Sequence, residues 1–218
     1  MTSVGVGMGN YNDVLLEQLG DKANGHYAYI NSMEDARKIF VDNLTGTLQI
    51  IARDVKIQVE FNPEIVRSYR LLGYENRDVA DEDFRNNKAD GGEIGSGHSV
   101  TALYEIKLHN RYDQGEIGQI AIRYKHPETK QVMEINEPID ESVFAGRFKQ
   151  SDDDFKLAAY AAEFAEIMRG SYWARGSSLE DLHADVLALA SKTEDPQVEE
   201  LADLIERADR ISSALASR

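Results

Sequence analysis

The sequence contains no cysteine, which removes disulfide staples and thiolate metal sites from the devices that could hold or equip the fold. No apolar run reaches the ~18 residues of a membrane-crossing helix. Positive charge is scarce: 24 Lys and Arg stand against 39 Asp and Glu, for a net charge of −15 and a pI near 4.7. Nucleic acid and anionic membrane surfaces both reward Lys and Arg, so neither is an expected partner, and a basic protein partner suits the charge better. Met1-Thr2-Ser3-Val4 lacks the basic start and long apolar segment of a signal peptide. The five histidines, His26, His98, His109, His126 and His183, form no His-Glu-x-x-His motif and no pair at ligand spacing. Acidic pairs such as Glu199 and Glu200 fall on exposed helix positions, and nothing singles out a glycosidase-like pair. There is no tandem repeat and no low-complexity run.

What is present is an ordinary globular composition, 42% hydrophobic and 29% charged over 218 residues. That length suits one large or two small domains, and a compact chain of this size buries roughly 70% of the surface its unfolded form exposes. Strand and helix patterns alternate over 1–53, strands dominate 54–148, and helices fill 149–218. The expected class is α+β: an antiparallel sheet or sandwich in the middle, a C-terminal helical segment, and a βαβα unit in front.

In the first stretch, Ser3-Val4-Gly5-Val6-Gly7 reads as a short buried strand. Asn12 is placed to cap a helix with Val14, Leu15, Leu16 and Leu19 on its apolar face. Gly25 suits a left-handed exit, and His26 to Ile30 form a second strand. Ser32 with Asp35 makes a capping box, in competition with Asn31 and Glu34, ahead of a helix lined by Ala36, Ile39, Phe40, Leu44 and Leu48. Such alternation implies a parallel sheet. Two strands do not make a stable one, so residues 1–53 are expected to be the tail of a larger α/β domain. The turn from Gly5 to Asn10 has the setting of a dinucleotide loop, but Asn10 stands where its last glycine belongs. Asn31 replaces the acidic ribose contact, and no Walker lysine follows. It is read as a tight strand-to-helix turn.

In the middle, Val55, Ile57, Val59 and Phe61 alternate with polar residues as in a half-buried strand, which Asn62-Pro63 ends. Ser68 to Tyr74 is the expected returning strand. Residues 75–91 read as an acidic exposed loop with a helical turn near Asp81 to Phe84. Its spacing fails the EF-hand pattern, with Arg85 at a ligand position and Gly92 where a glutamate belongs. The run Gly92-Glu93-Ile94-Gly95-Ser96-Gly97-His98-Ser99 then leads into Val100 to Leu108, expected as the central strand of the sheet. Ser96, His98 and Ser99 invite a nucleophilic reading, but no Gly-x-Ser-x-Gly elbow is formed. A bulge or corner entering a strand is the plainer one. Ile120, Ile122 and Tyr124, a turn at His126 to Lys130, and Val132 to Ile135 make a hairpin that Pro138 is expected to end.

At the end, Ser151 with Asp154 is expected to cap a helix facing inward through Phe155, Ala158, Ala159, Ala162, Phe164, Ala165 and Met168, with Gly170 as its stop. Trp173, the sole tryptophan, is expected to anchor the connection to the core; an exposed aromatic platform is the alternative. Ser178 with Asp181 starts a helix with Leu179, Leu182, Val186, Leu187 and Ala190 inward. Asp195-Pro196 starts the last, with Val198, Leu201, Leu204, Ile205 and Ala208 inward. Residues 152–218 carry fifteen acids against seven bases, either as solvated helix faces or as a surface for a basic partner.

Three sets of residues carry a family resemblance. They are Ser3 to Asp13 with Leu15-Leu16-Glu17-Gln18-Leu19 and Gly25 to Ile30; Val55 to Pro63 with Tyr69 to Arg77; and Gly92 to Ile106. The chain resembles the end of a bacterial von Willebrand factor type A domain followed by a C-terminal domain of unknown function. The similar proteins are secreted or lipoprotein members, some labelled calcium-activated chloride channel homologues. The resemblance implies an extracytoplasmic, cell-envelope setting and a non-catalytic binding role. The family's metal-ion-dependent adhesion site opens with Asp-x-Ser-x-Ser and adds a Thr and an Asp from later loops. None of these segments is in this sequence, so a divalent metal would belong upstream, and no catalytic, cofactor-binding or metal residue is assigned here. The alternatives are a hydrolase-like enzyme using the Gly92–Ser99 loop and a structural subunit oligomerising through an edge strand. The expected partner is a protein that the sequence leaves unidentified.

Overall fold

The computed structural model describes residues 3–6, 12–22, 27–30, 32–42, 49–73, 79–111, 115–144 and 146–216. The architecture is α+β. The chain divides into two compact units: Met1–Tyr69 with Tyr74–Ala102 and Ile106–Glu141, and Arg70–Gly73 with Leu103–Glu105 and Ser142–Arg218.

The first unit begins with β1 (Ser3–Val6), α1 (Asp13–Lys22) and β2 (Tyr27–Ile30), the two strands parallel with Ser3 opposite Tyr27 and Val6 opposite Ile30. Local signals set its ends. Asn12 Oδ1 accepts from the Leu15 amide at 3.0 Å. The Ser32 amide donates to Asp35 Oδ2 at 2.9 Å and the Asp35 amide to Ser32 Oγ at 3.1 Å, a reciprocal capping box. The helix it opens, α2 (Met33–Arg37), is shorter than expected and widens into a π turn at Lys38–Asp42. Leu44, Leu48, the turn residues Gly7 to Asn10, and Gly25, His26, Asn31 lie outside the described residues.

Six strands follow: β3 (Ile50–Phe61), β4 (Val66–Leu72), β5 (Gly92–Gly95), β6 (Leu103–Leu108), β7 (Glu116–Lys125) and β8 (Val132–Asp140). Four form an antiparallel sheet in the order β5-β3-β7-β8, and β4 pairs with β6 separately. Two expectations are corrected here. The segment after Asn62-Pro63 does not return along β3: it forms β4, which pairs with β6 instead. The central strand is β3, not the segment after the glycine run; Gly92–Gly95 is itself a strand, and regular structure resumes only at Leu103.

Alternation gives the sheet two different faces. Ile57, Ile122 and Ile135 line up across three strands on one face, and Lys56, Arg123 and Glu134 on the other. Pro138 lies inside β8, opposite Gln119, and does not end it. An edge strand tolerates proline because one row of its amides has no partner strand. The core gathers Ile65, Val66 and Ile117 with Phe61, Ile106, Leu108 and Ile139. The β7–β8 turn is held by His126: its amide donates to Gln131 O, and its Nδ1 accepts from the Glu128 and Thr129 amides at 3.3 Å each.

In the second unit, α3 (Asp153–Met168), α4 (Leu179–Thr193) and α5 (Pro196–Ala216) pack around Leu182, Val186, Leu189, Val198, Ala202 and Ile205. Ser178 caps α4 through Asp181, and the Gln197 amide donates to Asp195 Oδ1 at 2.8 Å at the start of α5. The cap of α3 is Asp152, not Ser151: its Oδ1 accepts from the Phe155 amide at 2.7 Å, while the Ser151 amide is committed to Phe148 O. The inward face of α3 is also corrected. Leu157, Tyr160, Phe164 and Ile167 pack on the core, whereas Phe155 and Met168 are exposed. The spacing of three, four and three residues keeps one stripe. Leu187 and Leu204, expected inward, are exposed, and Leu189 and Ala202 take those places.

Candidate functional site

Among the described residues, each unit holds a cluster of charged side chains built around a buried charged group. In the first unit it grows from a bulge in β3 between Arg53 and Lys56, where Asp54 takes the left-handed conformation at φ 48. Non-glycine residues rarely adopt it, and such strain gathers at functional sites. Gly91 makes the bulge possible: a Cβ there would lie 2.6 Å from the Asp54 carbonyl carbon. Lys125 Nζ donates to Asp54 Oδ2. Burial pushes the Asp54 carboxyl up, but hydrogen bonds involving Lys125, Asp90 and the Gly91 amide outweigh it and hold the pKa below its usual value.

Next to it, Lys56 is 5% exposed. Its Nζ donates to the Asp83 carbonyl at 3.0 Å and the Asn86 carbonyl at 2.7 Å. The acidic loop is therefore pinned by a buried cation, beside the 3-10 turn at Asp81–Asp83 and the buried ring of Phe84. Burial depresses the Lys56 pKa; the Asp54 and Asp83 charges oppose this, and the Arg123 and Lys125 charges add to it. Arg123 donates to Asn87 Oδ1 at 2.6 Å and pairs with Glu134 at 3.5 Å, and Glu134 also takes Arg85 at 2.8 Å. Asp54, Lys56, Asn86, Asn87, Arg123 and Lys125 line a shallow, open recess.

The second unit's cluster is centred on Glu166, which is 7% exposed near the end of α3. A carboxylate at a helix C-terminus opposes the macrodipole, so this one needs cations, and it has two. Arg70 Nη1 donates to Glu166 Oε2 at 3.0 Å, and Arg169 pairs with Oε1. Ser171 Oγ adds a hydrogen bond of 2.8 Å, and the Ser171 amide donates to the Glu166 carbonyl at 3.0 Å. Gly170, at φ 65, supplies the left-handed residue that turns the chain back. Burial raises the Glu166 pKa, but Ser171, Arg70 and Arg169 more than offset it and the net shift is downward.

Arg70 donates through Nε to Glu105 at 2.7 Å, and its guanidinium carbon lies 4.8 Å from the centre of the Trp173 ring. Trp173 meets Tyr172 edge-on at 5.4 Å, and Arg175 lies 4.5 Å over the Tyr172 ring. The expectation that Trp173 is buried is corrected: it is 55% exposed and Tyr172 is 65% exposed. They sit on a short 3-10 turn capped by Ser171, whose Oγ accepts from the Trp173 amide. The result is a pair of aromatic rings flanked by two guanidinium groups, one of them held by a buried carboxylate.

Ser96 and His98 serve the end of β5. Ser96-Gly97 form a turn with Gly97 at φ 80; the Ser96 amide donates to Gln49 O at 2.8 Å and the His98 amide to Gly95 O at 3.1 Å. His109 Nε2 contacts the Pro63 carbonyl at 3.2 Å. Among the described residues no group of three or more His, Asp or Glu is placed to hold a metal ion, and no helix is long and apolar enough to cross a membrane. Sequence reasoning missed both clusters. Glu166 was visible as an acid inside the apolar run Phe164-Ala165-Glu166-Ile167-Met168, three residues before Arg169. Lys56 looked like an ordinary outward residue of an alternating strand.

Together these features define a cysteine-free α+β protein of two units, each with a preorganised charged cluster. Residues 46–211 match the model of a family described as the C-terminal part of the uncharacterized protein YfbK. The chain belongs to that family. It is 31% identical over 232 aligned positions to the uncharacterized protein YfbK of Escherichia coli strain K12. That alignment takes in 97% of this chain and 39% of the relative, so the chain spans well under half of that protein's length. No solved structure matches the chain.

Proposed function

We propose that this chain is a non-catalytic interaction module of a von Willebrand A-type protein of the bacterial cell envelope. Its Arg70–Trp173–Tyr172–Arg175 row is the surface that meets a protein partner. The observation that carries this reading is the exposure of the row combined with its rigidity. Two large aromatic rings lie mostly in solvent, yet a buried ion pair fixes the arginine stacked on one of them. Trp, Tyr and Arg dominate the energetics of protein interfaces, and little entropy is lost on binding when they are held in place beforehand. The parallel β1–β2 pair and the resemblance of Ser3 to Asp13 and Gly25 to Ile30 support the von Willebrand A assignment. In this reading the divalent metal belongs to an upstream adhesion site, and this chain needs no cofactor of its own.

The test places a photo-crosslinking residue at Tyr172 of the full-length protein in bacterial cells. A discrete adduct is expected, lost in Trp173→Ala and not formed from Leu187, an exposed apolar residue on α4. Failure to form an adduct from position 172, or an adduct indifferent to Trp173→Ala, would contradict the proposed surface.

A further inference from the structure

We infer that the recess at the β3 bulge is a binding site for one phosphate-type oxyanion, free or as a monoester. The chain carries a net charge of −15, yet the charged side chains lining this recess are Lys56, Arg123 and Lys125 against Asp54 alone. The strand register sets Lys56 directly opposite Arg123. Like charges in directly opposed positions cost stability. Glu134, opposite Arg123 on the other side, balances that arginine, and Asp54 pairs with Lys125. Lys56, buried and bonded to two neutral carbonyls, is the cation that a bound anion would satisfy.

The donors fit the ligand. An ammonium has three N–H groups, and Lys56 uses two on the Asp83 and Asn86 carbonyls. Asn87 accepts from Arg123 through Oδ1, which leaves its amide NH2 as a neutral donor. Cationic groups arrive from two strands and the Asn87 carboxamide from a loop, so the donors come from separate elements. A phosphate offers three or four oxygens to such a set and a carboxylate only two. A bound dianion would add to the Asp54 charge in offsetting the repulsion that Lys56 feels from Arg123 and Lys125.

The test compares thermal unfolding in 10 mM inorganic phosphate with chloride at matched ionic strength. For a millimolar site the gain is about 3–5 °C. Lys125→Gln and Arg123→Gln should each abolish that gain. Arg85→Gln should keep it, because Arg85 also pairs with Glu134 but does not line the recess. A parallel series with glycerol phosphate separates the sources. An equal gain means the site accepts a monoester, and a gain with inorganic phosphate alone means it takes the free ion; both support the site. Coincident curves in phosphate and chloride would overturn it. So would a gain that survives in both Lys125→Gln and Arg123→Gln, which would be a general salt effect.

Discussion

Glu166→Gln should lower the unfolding free energy by about 2–3 kcal/mol, because it leaves Arg70 and Arg169 without the carboxylate they share. The loss falls short of the largest seen for broken buried pairs, since Arg70 keeps Glu105 and half of Arg169 is in solvent. The same substitution should change the response to acid. The Glu166 carboxyl titrates below its ordinary value of 4.5 in the folded protein, since Ser171, Arg70 and Arg169 outweigh burial. A carboxylate with a depressed folded pKa adds stability that is complete above its unfolded pKa and disappears as pH falls through the folded one. The gap between wild type and Glu166→Gln should therefore be constant from pH 7 down to about 5 and close below 4.5. Urea unfolding followed by circular dichroism at pH 7 and pH 3.5 measures both. An equal gap at the two values would mean that the carboxylate charge is not what the arginines need.

Gly118→Ala should cost about 3 kcal/mol, through a steric clash that no rotamer relieves. A Cβ at this position would lie 2.3 Å from the Glu60 carbonyl oxygen and 3.1 Å from the Phe61 Cα. Both are backbone atoms of β3, so β3 and β7 would have to separate where Phe61 pairs with Gly118. Gly92→Ala is the control. It lies in the neighbouring β5, and the nearest atom to its Cβ is the Val55 oxygen at 4.0 Å, so its effect should stay within about 0.5 kcal/mol. Thermal unfolding of the two variants side by side makes the comparison. Equal midpoints would show that the sheet gives way at Gly118 without loss.

These two glycines show what was legible in the sequence. The punctuated run Gly92-x-x-Gly95-x-Gly97 stands out by pattern, while Gly118, alone in an alternating strand, does not. Its necessity comes from a neighbour 58 residues away, and local pattern carries no record of such approaches. Caps were legible for the opposite reason. Asn12, Ser32 with Asp35, Ser178 and Asp195 act within three residues, so the sequence contains both partners of each bond. The α+β class and the β7–β8 hairpin followed from the same local rules.

Pairing choices and helix faces were not legible. Whether β4 returns along β3 depends on a competing partner, and β6, about 30 residues further on, took β4 instead. The inward face of α3 was misplaced because its alanines suit either side of a helix, and the long side chains of Leu157, Tyr160 and Ile167 decided it. Neither cluster was legible as a unit. Arg70 and Glu166 are 96 residues apart, and the pinning of Asp83 and Asn86 by Lys56 spans about 30.

The central claim is that Tyr172 and Trp173 are held in place by the fold but are not needed by it. Thermal unfolding of the Tyr172→Ala/Trp173→Ala double variant tests this most directly. Both rings are more than half exposed, and exposed cation–π contacts are worth about 0.5–1 kcal/mol each. The midpoint should therefore fall by no more than about 5 °C, with the helical circular dichroism signal intact. A fall of about 15 °C, the size expected from losing core aromatic residues, would show that the rings serve the fold rather than a partner.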